Sequence, residues 1–300
     1  MSLRILDPGP LSLVQDLGRP GLAAVGVGRS GALDRGALRL GNRLLGNEEG
    51  DAGVEVLLGG LVVRFERDTW FAVTGAAGPL LLDDRAVDAH LAARALAGQV
   101  LRIGVASAGT RWYLAVRGGV AVAPVLGSRS RDTLAGIGPA PLRSGDLLPV
   151  GEHPGTDLPL LDFVPVVEPT AGSVAVRAHP GPRADWFTAA ALDAFFSLDW
   201  RVAADSDRIG VRLEAVRTPA HAAGVVPRHE PLLERAISRE LPSEPMVAGA
   251  VQVSPDGRPT VLLADHPVTG GYPVIAVVAD TSLDAFAQLR PGQCLTFRHA

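Results

Sequence analysis

The chain has 300 residues, 47% of them apolar, a net charge of −4 and one cysteine, Cys294. That charge gives no electrostatic footprint for nucleic acid, and one cysteine closes no intrachain disulfide. No apolar run approaches the ~20 residues of a membrane span, and the start MSLRILDPGP lacks a signal peptide's apolar core, so the expected setting is soluble and cytoplasmic. At roughly 150 residues per domain the length points to two domains. All 28 basic residues are Arg, which removes lysine nucleophiles, Schiff bases and the P-loop lysine. Any anion held by a side-chain cation is therefore held by Arg. Gly and Pro make up 59 residues, set between many short Val/Leu runs, and favour a mainly β architecture with frequent turns.

In chain order, Leu11–Val14 reads as a strand and leads into Gln15-Asp16-Leu17-Gly18-Arg19. Gly26-Val27-Gly28-Arg29-Ser30-Gly31 matches the dinucleotide fingerprint G-x-G-x-x-G in form, but no second crossover helix follows to build the βαβ unit it requires. A weaker reading survives, in which the loop's N–H groups hold an anion with Arg19 or Arg29 beside it. Leu33, Ala37, Leu40 and Leu44 share one helical face, with Asp34 as N-cap and Gly46-Asn47 as the stop.

From Val54 to Val116 the pattern is β throughout. Gly59-Gly60 between Val54–Leu58 and Leu61–Phe65 predicts a hairpin, and Asp83-Asp84-Arg85 a second tight turn. Ser128, between Gly127 and Arg129, suits an oxyanion but lies in no G-x-S-x-G elbow, so plain turn chemistry is the competing reading. Gly151–Ala171, with four prolines, reads as an interdomain linker.

Beyond it, Ser173–Arg177 reads as a strand and Thr188 as the cap of a short helix bearing Leu192, Phe195 and Phe196. Trp200–Ala203 and the run to Leu213 flank Ser206-Asp207-Arg208-Ile209-Gly210, where adjacent Asp207 and Arg208 predict a local surface pair. Three apolar runs, Val247–Val253, Thr260–Ala264 and Val274–Val278, surround a loop carrying Asp265, His266, Thr269, Gly270, Gly271 and Tyr272. Loops on a rigid sheet are where chemistry concentrates, and an ordinary β-meander is the bland alternative. Thr281–Leu289 reads as a last helix and Leu295–Arg298 as a last strand. The seven histidines show no metal-ligand spacing.

Taken together, Gln15–Arg19, Ser30–Asp34, Gly41–Asn47, Val125–Ser130, Gly181–Phe187, Ser206–Gly210, Gly249–Val253 with Pro255–Gly257, and Leu263–Asp265 through Thr269–Pro273 resemble the KipI-antagonist (KipA) family. That family includes the 5-oxoprolinase C subunit, with the protein called allophanate hydrolase subunit 2, and is similar to the carboxyltransferase region of urea carboxylase. The chain departs from the family pattern at Ser243-Glu244-Pro245 and His266-Pro267-Val268. The resemblance implies two cyclophilin-like β-barrel domains, placed at 1–160 and 161–300, with a few short helices. It implies a heteromer with a LamB/YcsF-like A subunit plus a KipI-like B subunit, opening 5-oxoproline to glutamate with ATP and Mg²⁺ bound by the complex, the chain being inactive alone. Asp16, Asp34, Asp207 and Asp265 are then the candidate acid/base or Mg²⁺-holding groups. Arg19, Ser30, Ser128, Arg129, Arg183, Arg208, Thr269, Gly270, Gly271 and Tyr272 are the candidate substrate and phosphate contacts. The alternatives are a carboxyltransferase component of a urea carboxylase system and a non-catalytic antagonist of a KipI-like kinase inhibitor.

Overall fold

The structure, a computed structural model, describes residues 2–153, 155, 157–159, 164–216 and 233–300. Its contacts divide into two units: Met1–Ala24 with Arg29–Thr170, and Val25–Gly28 with Ala171–Ala300. The change at Thr170 falls inside the stretch read as a linker, beyond the boundary expected at residue 160.

In the first unit, one six-stranded sheet runs in the order β11 (Leu147–Pro149), β1 (Ser2–Pro8), β4 (Leu61–Phe65), β9 (Val100–Ile103), β6 (Leu80–Leu82), β7 (Arg85–Ala86). A five-stranded sheet runs β2 (Leu11–Gln15), β3 (Gly53–Leu57), β10 (Ala108–Val116), β5 (Thr69–Ala77), β8 (Ala92–Ala95). One core holds residues of both sheets: Leu3, Ile5, Leu61, Val63, Phe65 and Leu101 from the first, Val54, Val56, Phe71, Val73, Trp112 and Leu114 from the second. Helix α1 (Arg35–Leu44) covers the other face of the five-stranded sheet, packing Ala37 and Leu38 on Tyr113, and Leu44 on Ala72 and Ala115. That is why Trp112–Val116 is apolar without alternation: both faces of β10 are covered.

The glycine pair Gly59-Gly60 does not close a hairpin. β3 pairs with β2 and β10, whereas β4 pairs with β1 and β9, so the glycines carry the chain from one sheet to the other. Leu58, Gly59 and Gly60 all have positive φ, and a Cβ on Gly59 would lie 2.0 Å from the Gly104 carbonyl oxygen. Such corners need glycine because two backbones meet there. The Asp83-Asp84 turn does join a hairpin, β6 to β7, with both residues at positive φ.

The second unit is a closed barrel in the order β12 (Val174–Pro180), β19 (Val274–Val278), β16 (Ala250–Val253), β17 (Pro259–Leu262), β14 (Gly210–Ala215), β13 (Asp199–Val202), β20 (Cys294–His299). Only β12–β20 pair in parallel. The three runs around the Asp265–Tyr272 loop are not a meander, since β16 lies between β17 and β19. β16 starts later than the apolar run suggests because Gly249, at φ +87°, turns the chain, and a Cβ there would lie 3.0 Å from the Val278 oxygen. Helix α2 (Ala189–Ser197), capped by Thr188, stacks Phe195 on Phe297 with centroids 4.3 Å apart and accepts the Trp200 indole N–H at the Phe195 oxygen. Helix α3 (Asp280–Phe286) precedes β20, and a short ribbon pairs β15 (Glu244–Pro245) with β18 (Thr269–Gly270). The mainly β expectation holds.

Candidate functional site

In the first unit the structure gathers Asp16, Arg19, Ser30, Ser128 and Arg129. Asp16 follows β2 directly and is buried. Its Oδ1 accepts from the Ser128 hydroxyl at 2.6 Å, the Gly18 N–H at 2.7 Å and the Ser130 hydroxyl, and its Oδ2 from the Arg129 N–H at 2.6 Å. Four donors match the capacity of a carboxylate. Asp16 thus fastens the 128–130 segment to the end of β2. The adjoining turn, Leu126-Gly127, bridges Val125 to Ser128 and holds Leu126 at φ +53° with 55% of its side chain exposed.

The loop between β2 and α1 closes on itself. The Arg19 N–H donates to the Arg29 oxygen, the Ala32 N–H to the Asp16 oxygen, and a Cβ on Gly18 would meet the Arg29 and Ser30 oxygens at 2.5 Å. β2 and β3 are antiparallel neighbours, which is not a Rossmann unit, and of the fingerprint glycines Gly31 serves the close approach, a Cβ there lying 2.8 Å from the Gly18 nitrogen. Arg19 is 2% exposed and one of its Nη2 hydrogens donates to the Ser130 oxygen. The Arg129 side chain turns to the Val122 oxygen.

Asp34 lies elsewhere in the same unit, as the cap of α1, accepting the Ala37 N–H at 2.8 Å. Its own N–H donates to the Tyr113 hydroxyl, and that hydroxyl donates to Glu55 Oε2 at 2.8 Å. Glu55 also takes the Leu33 N–H and lies 3.4 Å from Arg111. Burial, then the Glu55 and Asp34 carboxylates, push the Tyr113 phenol well above its usual range. A cavity of about 180 Å³ opens beside Asp34, lined also by Gly75, His90, Val166 and others. His90 sits there at φ +62°, its pKa drawn down by burial against the opposing pull of Glu168. Glu55, Tyr113 and His90 carry no sequence signal, because strand residues far apart in the chain meet only through sheet register.

In the second unit Arg208 and Asp265 form a two-point pair, Nε to Oδ2 at 2.9 Å and Nη2 to Oδ1 at 3.1 Å, with side chains 4% and 0% exposed. This overturns the expected local surface pair. Asp207 instead turns to the backbone, accepting the Ile209 and Gly210 N–H groups, while Arg208 reaches inward across 57 positions. His266, also buried, places Nδ1 2.8 Å from the Pro267 oxygen.

Arg183 forms a separate group, forked onto Glu244, one of the residues where the chain departs from its resemblance. Glu244 pairs with Gly270 in the β15–β18 ribbon, which brings Arg183 near the Thr269–Tyr272 turn. A Cβ on Gly270 would lie 2.4 Å from Gln252 Nε2 and would displace that amide, which reaches toward the Tyr272 oxygen. Thr269, Gly271 and Tyr272 are exposed. Arg235, absent from the sequence-based set, donates to the Val253 oxygen, and burial draws its pKa down while Tyr272 opposes.

A family model described as carboxyltransferase domain, subdomain A and B, matches residues 25–299. The chain is 38% identical over 298 residues to the 5-oxoprolinase C subunit of Escherichia coli (strain K12), covering 98% of this chain and 90% of that one. It is 30% identical over 313 residues to urea amidolyase of Saccharomyces cerevisiae, covering 99% of this chain but 16% of that one. Among solved structures, the crystal structure of TTHA0988 superposes with a TM-score of 0.82 at 34% identity, and this chain spans 55% of its length. The urea amidolyase of K. lactis superposes with a TM-score of 0.86 at 28% identity, over 18% of its length.

Proposed function

The chain belongs to the carboxyltransferase subdomain A and B family, and from that premise we propose that it is one component of an ATP-dependent 5-oxoprolinase. The observation that carries this reading is the 38% identity to a 5-oxoprolinase C subunit, over 98% of the chain. It acts with a LamB/YcsF-like A subunit plus a KipI-like B subunit, in the cytoplasm, and is inactive alone. The lactam carbonyl of 5-oxoproline is a weak electrophile, and phosphorylating its oxygen makes it a good one. Oriented cations and N–H donors for the transferring phosphoryl group and the substrate carboxylate are what that step needs from protein.

ATP and Mg²⁺ belong to the same reading. The candidate carboxylates of this chain do not suit a Mg²⁺ of its own: Asp16 already takes four donors, Asp265 is spanned by Arg208, and Asp34 and Asp207 accept backbone N–H groups. Among the described residues no group of three or more His, Cys, Asp or Glu is placed to hold a metal ion. This chain's part is instead to position and to supply positive charge. Asp16 and Asp265 hold their loops, and Thr269, Gly271 and Tyr272 face the substrate or the partner.

A second reading is favoured by the TM-score of 0.86 to a urea amidolyase: carboxyl transfer to a small amide. Reconstitution with the KipI-like and LamB/YcsF-like partners decides between them. Glutamate release coupled to 5-oxoproline-dependent ATP hydrolysis supports the first. Carboxylation of urea, needing biotin carboxylase and carrier domains and no LamB/YcsF-like partner, supports the second. Tight association with the KipI-like partner without turnover of either substrate leaves an antagonist.

A further inference from the structure

Among the described residues, Arg19 is a buried guanidinium left short of hydrogen-bond acceptors. It is 2% exposed, one Nη2 hydrogen donates to the Ser130 oxygen, and the Nε and Nη1 nitrogens have no acceptor among the described residues. Three N–H groups of a buried guanidinium thus point at nothing that accepts. Asp16, three residues away, takes none of them. Its carboxylate accepts instead from Ser128, Ser130 and Gly18 at Oδ1 and from Arg129 at Oδ2. Beside Arg19 a second group is incomplete. Gln15 donates to the oxygen of Arg131, the residue after the one Arg19 reaches, and its own Oε1 is buried with no donor. The two side chains therefore reach one dipeptide and leave a set of donors and one acceptor unmatched. A buried cation left short of hydrogen-bond acceptors is costly, and a ligand that supplies them is one way such a group is completed.

The geometry points to Arg19 as the receptor for an oxyanion, a carboxylate or a phosphate, with Gln15 Oε1 accepting a ligand N–H. This deepens the 5-oxoprolinase reading and rests on it for the identity of the ligand: 5-oxoproline carries a carboxylate beside a ring N–H. A phosphate offers the same charge to Arg19 but nothing to Gln15.

The test is calorimetric titration of the full chain, alone and assembled with its two partners, using 5-oxoproline, 2-pyrrolidinone and inorganic phosphate. Wild type is expected to bind at least one of the two anions, and 2-pyrrolidinone, which lacks the carboxylate, at least tenfold more weakly than 5-oxoproline if the carboxylate is the occupant. Saturating anion should raise the melting temperature by about 4 °C at roughly 100 times Kd. Arg19→Met should abolish binding while raising the melting temperature of the free chain, an outcome that a merely structural arginine does not give. Should Arg19→Met fail to fold, Arg19→Lys decides, since it keeps the charge but loses the planar fork and should weaken binding at least tenfold. No anion binding in either state, or binding untouched by both variants, overturns the site. Glutamate release by the wild-type complex is read separately. Turnover without anion binding at Arg19 removes this site and keeps the reaction; binding without turnover keeps the site and removes the reaction.

Discussion

Breaking the Arg208–Asp265 pair should be costly, because each partner leaves the other's charge buried at 0–4% exposure. Arg208→Ala or Asp265→Ala is expected to destabilise by about 3–5 kcal/mol in urea unfolding, and the joint change Arg208→Met with Asp265→Leu by less than either. Equal losses in all three would show that the pairing is not what matters. Tyr113 carries a pH prediction. Its folded pKa lies well above the unfolded value of 10.0, so its contribution to stability is complete below pH 10.0 and is lost as pH rises from there through the folded value. Of the chain's two tyrosines, one should therefore ionise only as the protein unfolds, which an ultraviolet titration run beside circular dichroism would register. The motif around Asp16 and the loop around Asp265 were visible as polar residues crowded after strands. Their partners were not, because Ser128 lies 112 positions from Asp16 and Arg208 lies 57 from Asp265.

Single elements were read best where the signal is local. α1 appears with its expected cap, since Asp34 bonds the N–H three residues on, and Asp34→Ala should cost about 1 kcal/mol of stability. Thr188 caps α2 for the same reason. The Gly59-Gly60 corner was misread because a glycine pair between two apolar runs says only that the chain turns, not which sheet receives the second run. At that corner Gly59→Ala should destabilise by about 2 kcal/mol or more, since φ +108° and a contact at 2.0 Å both oppose a Cβ. An alanine there without effect in chemical denaturation would mean the corner can relax.

Across the whole molecule, burial on both faces sets β10 apart from the edges of its sheets. Its amides from Trp112 to Val116 should be among the slowest to exchange with deuterium, and those of the exposed edge strand β7 among the fastest. The amino-acid sequence by itself determined that the chain is mainly β and which residues cap α1 and α2, because each depends on residues within a few positions of one another. The tertiary structure alone decided that β3 and β4 part company, that β16 sits between β17 and β19, that Asp16 accepts from four donors and that Arg19 makes no ion pair among the described residues. Those outcomes depend on which distant strands pair and on how many donors reach one buried oxygen, and neither is written in local composition.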